Sequence, residues 1–406
     1  MSIVQKRILA IKHNYDMYHD MTQTTPTIQI NLQHSNTIIK QNIQPELYNL
    51  LIKYKSHIDN NIYWNKVKKI SNIFEYIYIY NKHVDNNIGT ALYNPISRSF
   101  FKLQEIICDL DLLQTESTAL VIVGLAEAPG GFIECMYQYR RKQFVLNKDE
   151  YFCMSLLSSD TDVPVLQHLK NKIKYNTLTL LTGEDGTGDL YNYKNIIHLK
   201  KSIGKKADIV TADGGFNYDD QYDYQEQLSY KLIFSEMISA LHILKRGGHF
   251  VLKIFDIFTH NTCNLIYFIS TFFEEVYITK PFSSRPANSE KYVVCKHFRG
   301  MTEEYGQTLL ETLLDWNVIN HNHKFVTNIF NITTTPTYTN IMKGLYEYNI
   351  MFVKNQIKNI LTTLTYIEYH LSEQDKIKIY HIQASVGFFW CLKYKLELNY
   401  RCKYLK

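Results

Sequence analysis

Residues 91–300 predict an α/β domain with a mainly parallel, seven-stranded sheet. Three observations carry this: seven short apolar runs follow one another, amphipathic segments separate them, and the first run ends in a Gly-Gly turn before a helical pattern. Strands covered by helices on both faces read as near-continuous apolar runs. Strands that alternate with helices need crossover connections, and these make a sheet parallel.

The seven runs, in order, are Ala119–Leu125, Tyr151–Leu157, Thr177–Leu181, Ala207–Thr211, Gly248–Phe255, Glu275–Thr279 and Lys291–Phe298. The clearest helical pattern between them spans Tyr222 to Lys245 and closes on Lys245-Arg246-Gly247-Gly248, cations and then glycine, a helix stop signal. Residues 1–90 read as a helical and irregular N-terminal extension. It holds polar stretches such as Thr22–Pro26, and an aromatic segment, Ser71–Tyr80, that fits helix or strand equally. Residues 301–406 read as a mostly helical C-terminal extension, rich in Tyr, Lys and Ile.

The chain has 406 residues, 45% hydrophobic and 20% charged, enough for a substantial core and too few charges for wholesale disorder. A net charge of +5 permits a polyanionic partner without demanding one. Seven scattered cysteines, with no CxxC pair, exclude a disulfide framework or zinc ribbon and fit a reducing, intracellular compartment. His321-Asn322-His323 lacks the acid or thiol spacing of a metal site, so no metal is expected. No secretory leader pattern opens the sequence, and no apolar run is long enough to span a bilayer, so no membrane association is expected.

Four places attract chemistry. Glycine in Pro129-Gly130-Gly131 lets a ligand approach the backbone, and the helix behind it offers free N–H groups. The turn is not GxGxxG, which argues against a dinucleotide-binding dehydrogenase. Lys253, between Val251, Leu252, Ile254 and Phe255, is expensive to bury without a partner or a function. Asp213 ends a strand, where open α/β sheets bind ligands. Glu290 sits at the mouth of the last strand, behind Arg285 and a proline turn.

These pieces resemble the FtsJ/RrmJ-type RNA 2′-O-ribose methyltransferases. "SRSFFKLQEI" at 97–106 is similar to that family's entry helix and "LAEAPGGF" at 125–132 to its S-adenosylmethionine turn. "ADIVTADGGF" at 207–216 and "GGHFVLKIF" at 247–255 resemble its fourth and fifth strands. "SRPANSEKYVVCKHF" at 284–298 and "GEDGTGDL" at 183–190 resemble the cap-specific group of eukaryotes and large DNA viruses. The resemblance covers about 200 residues, with the segments in the family's order. It implies a Rossmann-like methyltransferase fold, S-adenosyl-L-methionine as cofactor, and transfer to a ribose 2′-hydroxyl of RNA. The first transcribed nucleotide of capped mRNA is the expected target, and other capping or transcription proteins are candidate partners.

The same resemblance implies site residues. Lys102, Asp213, Lys253 and Glu290 fall on the family's catalytic Lys-Asp-Lys-Glu tetrad. Glu127, Ala128, Pro129, Gly130, Gly131, Phe132, Asp185 and Asp213 are implied as cofactor contacts, and Arg98 and Arg285 as contacts to substrate RNA. At one point the chain departs from the pattern: Gly124 stands where the family usually has an aspartate, and an acid, Glu127, appears nearer the turn. Burial and Lys102 would lower the Lys253 pKa while Asp213 and Glu290 would raise it, so its resting charge is open at this point. Two other readings stay open: a methyltransferase for ribosomal or transfer RNA, and a non-catalytic RNA-binding subunit that keeps the fold.

Overall fold

A computed structural model describes residues 7–13, 28–58, 61–84, 86–144, 146–157, 165–173, 177–216 and 219–405; the polar stretch Thr22–Pro26 lies outside them. The strands are β1 (Ile8–Ile11), β2 (Gln29–Ser35), β3 (Tyr80–Asn81), β4 (Asn86–Asn87), β5 (Val121–Leu125), β6 (Glu150–Met154), β7 (Leu178–Leu181), β8 (Ala207–Ala212), β9 (Leu244–Ile254), β10 (Phe273–Thr279), β11 (Lys291–Phe298) and β12 (Phe325–Asn331). The α-helices are α1 (Pro45–Lys55), α2 (Trp64–Ser71), α3 (Ser99–Asp109), α4 (Gly131–Gln143), α5 (Tyr193–Ile203), α6 (Gln225–Leu228), α7 (Tyr230–Ile243), α8 (His260–Ser270), α9 (Glu303–His321), α10 (Pro336–Glu368) and α11 (Glu373–Lys393). Two compact units result. The first takes residues 1–44, 114–280 and 290–348, the second 45–113, 281–289 and 349–406.

The first unit is built on an eight-stranded sheet of order β1-β10-β11-β9-β8-β5-β6-β7. The five strands from β9 to β7 run parallel, and β11, β10 and β1 add antiparallel neighbours. All five residues of β5 are buried, which explains its unbroken apolar sequence. β5 has β6 on one side and β8 on the other, so the order reverses there, and Leu125 lies opposite Ala212. The turns leaving these two strands emerge side by side at the carboxyl edge, where such sheets bind ligands.

Two expectations are corrected. The sheet has eight strands instead of seven: Ile8–Ile11 pairs with β10 at the edge, and four residues are too few to show a period. The Lys245-Arg246-Gly247-Gly248 signal does not cap a helix. α7 ends at Ile243, β9 starts at Leu244, and Gly247, at φ +77°, lies inside that strand beside an irregularity in its pairing with β8. Glycine serves a bulge here.

Arg140 of α4 is fully buried, with Nε and Nη2 donating to Asp149 at 2.8 and 3.0 Å and Nη2 also to the Ser117 carbonyl at 2.6 Å. Asp149 further accepts from the Leu120 N–H and the Tyr151 hydroxyl, tying α4 to the starts of β5 and β6. In the second unit the buried Glu105 of α3 accepts from the N–H groups of Phe282 and Ser283 and from the Trp390 indole, fixing the 281–289 turn against α3 and α11.

Asp149→Ala leaves the Arg140 guanidinium buried without its anion. It should cost about 3–5 kcal/mol, read as a shift in the urea midpoint at unchanged slope.

Candidate active site

The turn after β5 is organised by Glu127. Its carboxylate, 4% exposed, accepts from the Ile133 N–H at 2.9 Å and the Thr211 hydroxyl at 2.7 Å, joining the α4 N-terminus to β8. Burial pushes its pKa up to about 8, against those two hydrogen bonds. A Cβ on Gly124 would fall 2.7 Å from Glu127 Cδ and 2.8 Å from Ile133 Cγ1. Glycine at 124 therefore makes room for the Glu127 side chain. Both Glu127 oxygens are engaged, one by the α4 N-terminus and the other by β8.

The Ala128–Pro129 peptide is cis, and Gly130 has φ +104°, a left-handed conformation that suits glycine. Gly130 also packs tightly, since a Cβ there would lie 2.7 Å from Leu169 Cδ2. Phe132 is fully buried against Tyr292, so what it offers a ligand is its main chain. The Gly131 and Phe132 amides belong to the first turn of α4, whose N–H groups have no partner within the helix. A loop of half-exposed Ala128 and Pro129 leading to these amides suits a ligand with anionic or carbonyl oxygens.

Next to that turn, at the end of β8, three of the four tetrad positions act on one another. Lys253 Nζ donates to the Asp213 carbonyl at 2.6 Å and lies 3.4 Å from the Asp213 carboxylate. The Tyr292 hydroxyl donates to that carboxylate at 3.0 Å. Burial works to lower the Lys253 pKa, but the charges of Asp213 and Glu290 outweigh it and raise it above the ordinary lysine value. The balance that the sequence leaves open thus favours the ammonium form of Lys253. The Tyr292 phenol, buried and beside Asp213 and Glu290, is pushed well above its usual range.

Sequence reading missed Tyr292 and Glu236. Tyr292 stands opposite Lys253 in the β11–β9 pairing, a position that only the register reveals. Glu236 lies on α7 with no exposure and accepts from the Gly214 N–H at 3.1 Å. Its signal was available: a lone acid inside the apolar stretch Tyr230–Leu244.

Lys102 belongs to α3 of the second unit, as do Arg98 and Arg285 to that unit, whereas Asp213, Lys253 and Glu290 belong to the first. Arg285 is bound to Glu75, Nη2 at 2.8 Å and Nε at 3.2 Å, and Arg98 Nη1 lies 3.5 Å from Glu75 while donating to the Tyr78 carbonyl. Burial works to raise the Glu75 pKa, but the hydrogen bond from Arg285 and the two guanidinium charges hold it below the usual carboxylate range. The trio lines a cavity of about 460 Å³ within the second unit. Tyr76, Tyr78, Tyr80 and Tyr380 give it aromatic walls, and Lys66 and Lys69 add cations. The arginines are thus components of a cavity wall, not loose surface charges.

Asp185 organises its own loop. It accepts from the Thr187 N–H and hydroxyl and from the amides of Asn192 and Asn195, and these bonds hold its carboxyl far below the usual range. Among the described residues, no group of three or more His, Cys, Asp or Glu side chains could hold a metal ion, and no helix is long and apolar enough to cross a membrane.

Burial raises the Glu236 pKa to about 8. Below the ordinary value of 4.5 both folded and unfolded states carry the proton. Above it the unfolded chain releases a proton that the folded one keeps, so stability falls as pH rises from about 4.5 to about 8. Glu236→Gln should remove that share of the decline, on the order of 2–5 kcal/mol. The expected result is a melting-temperature difference from wild type that is small at pH 5 and large at pH 8.

A family model described as FtsJ-like methyltransferase matches residues 95–298, half of the chain. A cap-specific mRNA (nucleoside-2′-O-)-methyltransferase 1 from Danio rerio is 32% identical over 190 residues, 46% of this chain and 23% of that protein. A cap-specific mRNA (nucleoside-2′-O-)-methyltransferase 2 from Mus musculus is 33% identical over 225 residues, 54% of this chain and 29% of that one. The chain therefore spans less than a third of the length of these relatives. A solved chain from Plasmodium falciparum, assigned as a ribosomal RNA methyltransferase, overlays 50% of this chain and 98% of its own with 20% identity and a TM-score of 0.36, too loose to add to the assignment. The chain belongs to the FtsJ-like methyltransferase family, whose chemistry depends on S-adenosylmethionine.

Proposed function

We propose that this chain transfers a methyl group to a ribose 2′-hydroxyl of RNA, and that its substrate is capped mRNA. The observation that carries the transfer is the Lys253 ammonium, held at the carboxyl edge by the Asp213 carbonyl and carboxylate, beside the Pro-Gly-Gly turn. S-adenosylmethionine, when bound, supplies the electrophilic methyl carbon. Its carboxylate suits the α4 amides of Gly131 and Phe132.

A lysine that rests as an ammonium does not begin as a base. Lys253 can instead donate to the attacking hydroxyl oxygen, fix its lone pair in line, and stabilise negative charge that develops there. The hydroxyl proton leaves as the C–O bond forms, and Asp213 offers a nearby acceptor. Tyr292 and Glu290 hold Asp213 and Lys253 in place. Lys102 keeps the role that the family motif assigns it.

The cap half of the reading rests on the relatives' names together with the second unit's cavity. A methylated guanine carries positive charge and a π-face, and the tyrosines suit both. Arg98, Arg285, Lys66 and Lys69 suit a bridging polyphosphate. Two outcomes are expected. Lys253→Met should keep S-adenosylhomocysteine affinity but lose transfer by about 10²-fold or more, measured with labelled methyl donor and nuclease mapping. Tyr80→Ala should raise KM for capped RNA about tenfold, the loss of one stacked base, without changing turnover on uncapped transcripts. Equal methylation of capped and uncapped RNA by wild type would point to ribosomal or transfer RNA instead, and a protein that binds cofactor yet methylates nothing would be a scaffold.

A further inference from the structure

We propose that Glu236 is a positioning residue for the transfer, one that fixes the peptide from which the Lys253 ammonium hangs. The proposal rests on reading the Lys253 cluster as the transfer site. The Asp213–Gly214 peptide is gripped from both ends: its carbonyl accepts from Lys253 Nζ at 2.6 Å, and its N–H donates to Glu236 Oε1 at 3.1 Å. A trans peptide is planar, with C=O and N–H pointing in opposite directions. Holding the N–H therefore aims the carbonyl, and the carbonyl aims the ammonium. Glu236 reaches Lys253 through one rigid group without touching the reacting atoms.

Packing does not account for an acid at this position. Glu236 has no exposure, and Oε2 has no hydrogen-bond partner among the described residues. A buried carboxyl with an idle oxygen is costly, and an apolar side chain of like size would be cheaper. Glu226 shows what a structural acid looks like in this fold. Its oxygens accept from the Phe258 and Thr259 N–H groups and from the Thr259 and Thr262 hydroxyls, which fastens the start of α8. Glu236 serves a single amide, and the backbone is fitted to it: a Cβ on residue 214 would fall 2.2 Å from Oε1, so glycine is needed there for the contact to form. The charged groups that act on Glu236 are Lys253 from β9 and Asp213 from the end of β8, both members of the proposed site.

The test compares Glu236→Gln, which keeps the acceptor for the Gly214 N–H, with Glu236→Leu, which fills the space without one. Transfer to capped RNA is measured with wild type in parallel. The leucine variant should lose about 10²-fold in kcat, with KM for RNA and S-adenosylhomocysteine affinity near wild type. The glutamine variant should stay within about threefold of wild-type kcat. If the leucine variant does not fold, Glu236→Met is read in the same way. A folded Leu or Met variant with wild-type kcat overturns the inference, as does a loss confined to cofactor affinity. So does a Gln variant as impaired as the Leu one, because an acceptor alone would then not suffice. An inactive wild type overturns the transfer reading and this one with it, whereas an active wild type beside an active Leu variant overturns this one alone.

Discussion

The first unit's site depends on one buried cation. Lys253 sits on a central strand, its side chain 12% exposed, where desolvation works to lower its pKa. What keeps it charged is Asp213, which meets it with both the carboxylate and the carbonyl of the same residue. Glu290 adds to the field. An ion pair of this kind adds little net stability, because the desolvation of both partners offsets their attraction. Its presence in a core strand fits the proposed role, in which the ammonium donates to the attacking oxygen.

The rest of the carboxyl edge follows from the demand for a fixed ammonium and a shaped turn close together. The parallel register sets Leu125 opposite Ala212, so the cofactor-type turn and the Asp213 turn leave the sheet as neighbours. Glu127 then locks the two by taking the Ile133 N–H from one and the Thr211 hydroxyl from the other. Tyr292, opposite Lys253 on the antiparallel strand, closes the cluster from the far side. Gly124 and Glu127 are fitted to each other: a Cβ at 124 would fall on the Glu127 side chain, so glycine there leaves it room.

Much of this was legible in the sequence. Each of the seven apolar runs became or overlapped a strand, because a strand covered on both faces must be apolar throughout. Lys253 and Asp213 stood out because charges beside such strands need a reason. What escaped was whatever depends on register or on very short pairing. β1 is four residues long and has meaning only beside β10. Tyr292 looked like one more aromatic of a β-strand until the pairing put it across from Lys253. Asp185 is implied as a cofactor contact, and the sequence does not show that four donors of its own loop also bind it. The resemblance implies Arg98 and Arg285 as contacts to substrate RNA, but nothing local in the sequence announces that Glu75 gathers both.

The two arginines and the lysine cluster differ in how they hold charge, and the difference bears on their tasks. Around Lys253 the acids outnumber the cation, so the ammonium is stabilised and its position is narrow. Around Glu75 the cations outnumber the acid. One carboxylate orients two guanidinium groups and leaves the cavity wall, with Lys66 and Lys69, in positive excess. An anionic ligand meeting that wall need not displace the acid, because a guanidinium has five donors and the carboxylate uses only some of them. A site that must hold one oxygen in line calls for the first arrangement. The proposed polyphosphate contacts use the second, and within this chain each arrangement is built in a different compact unit.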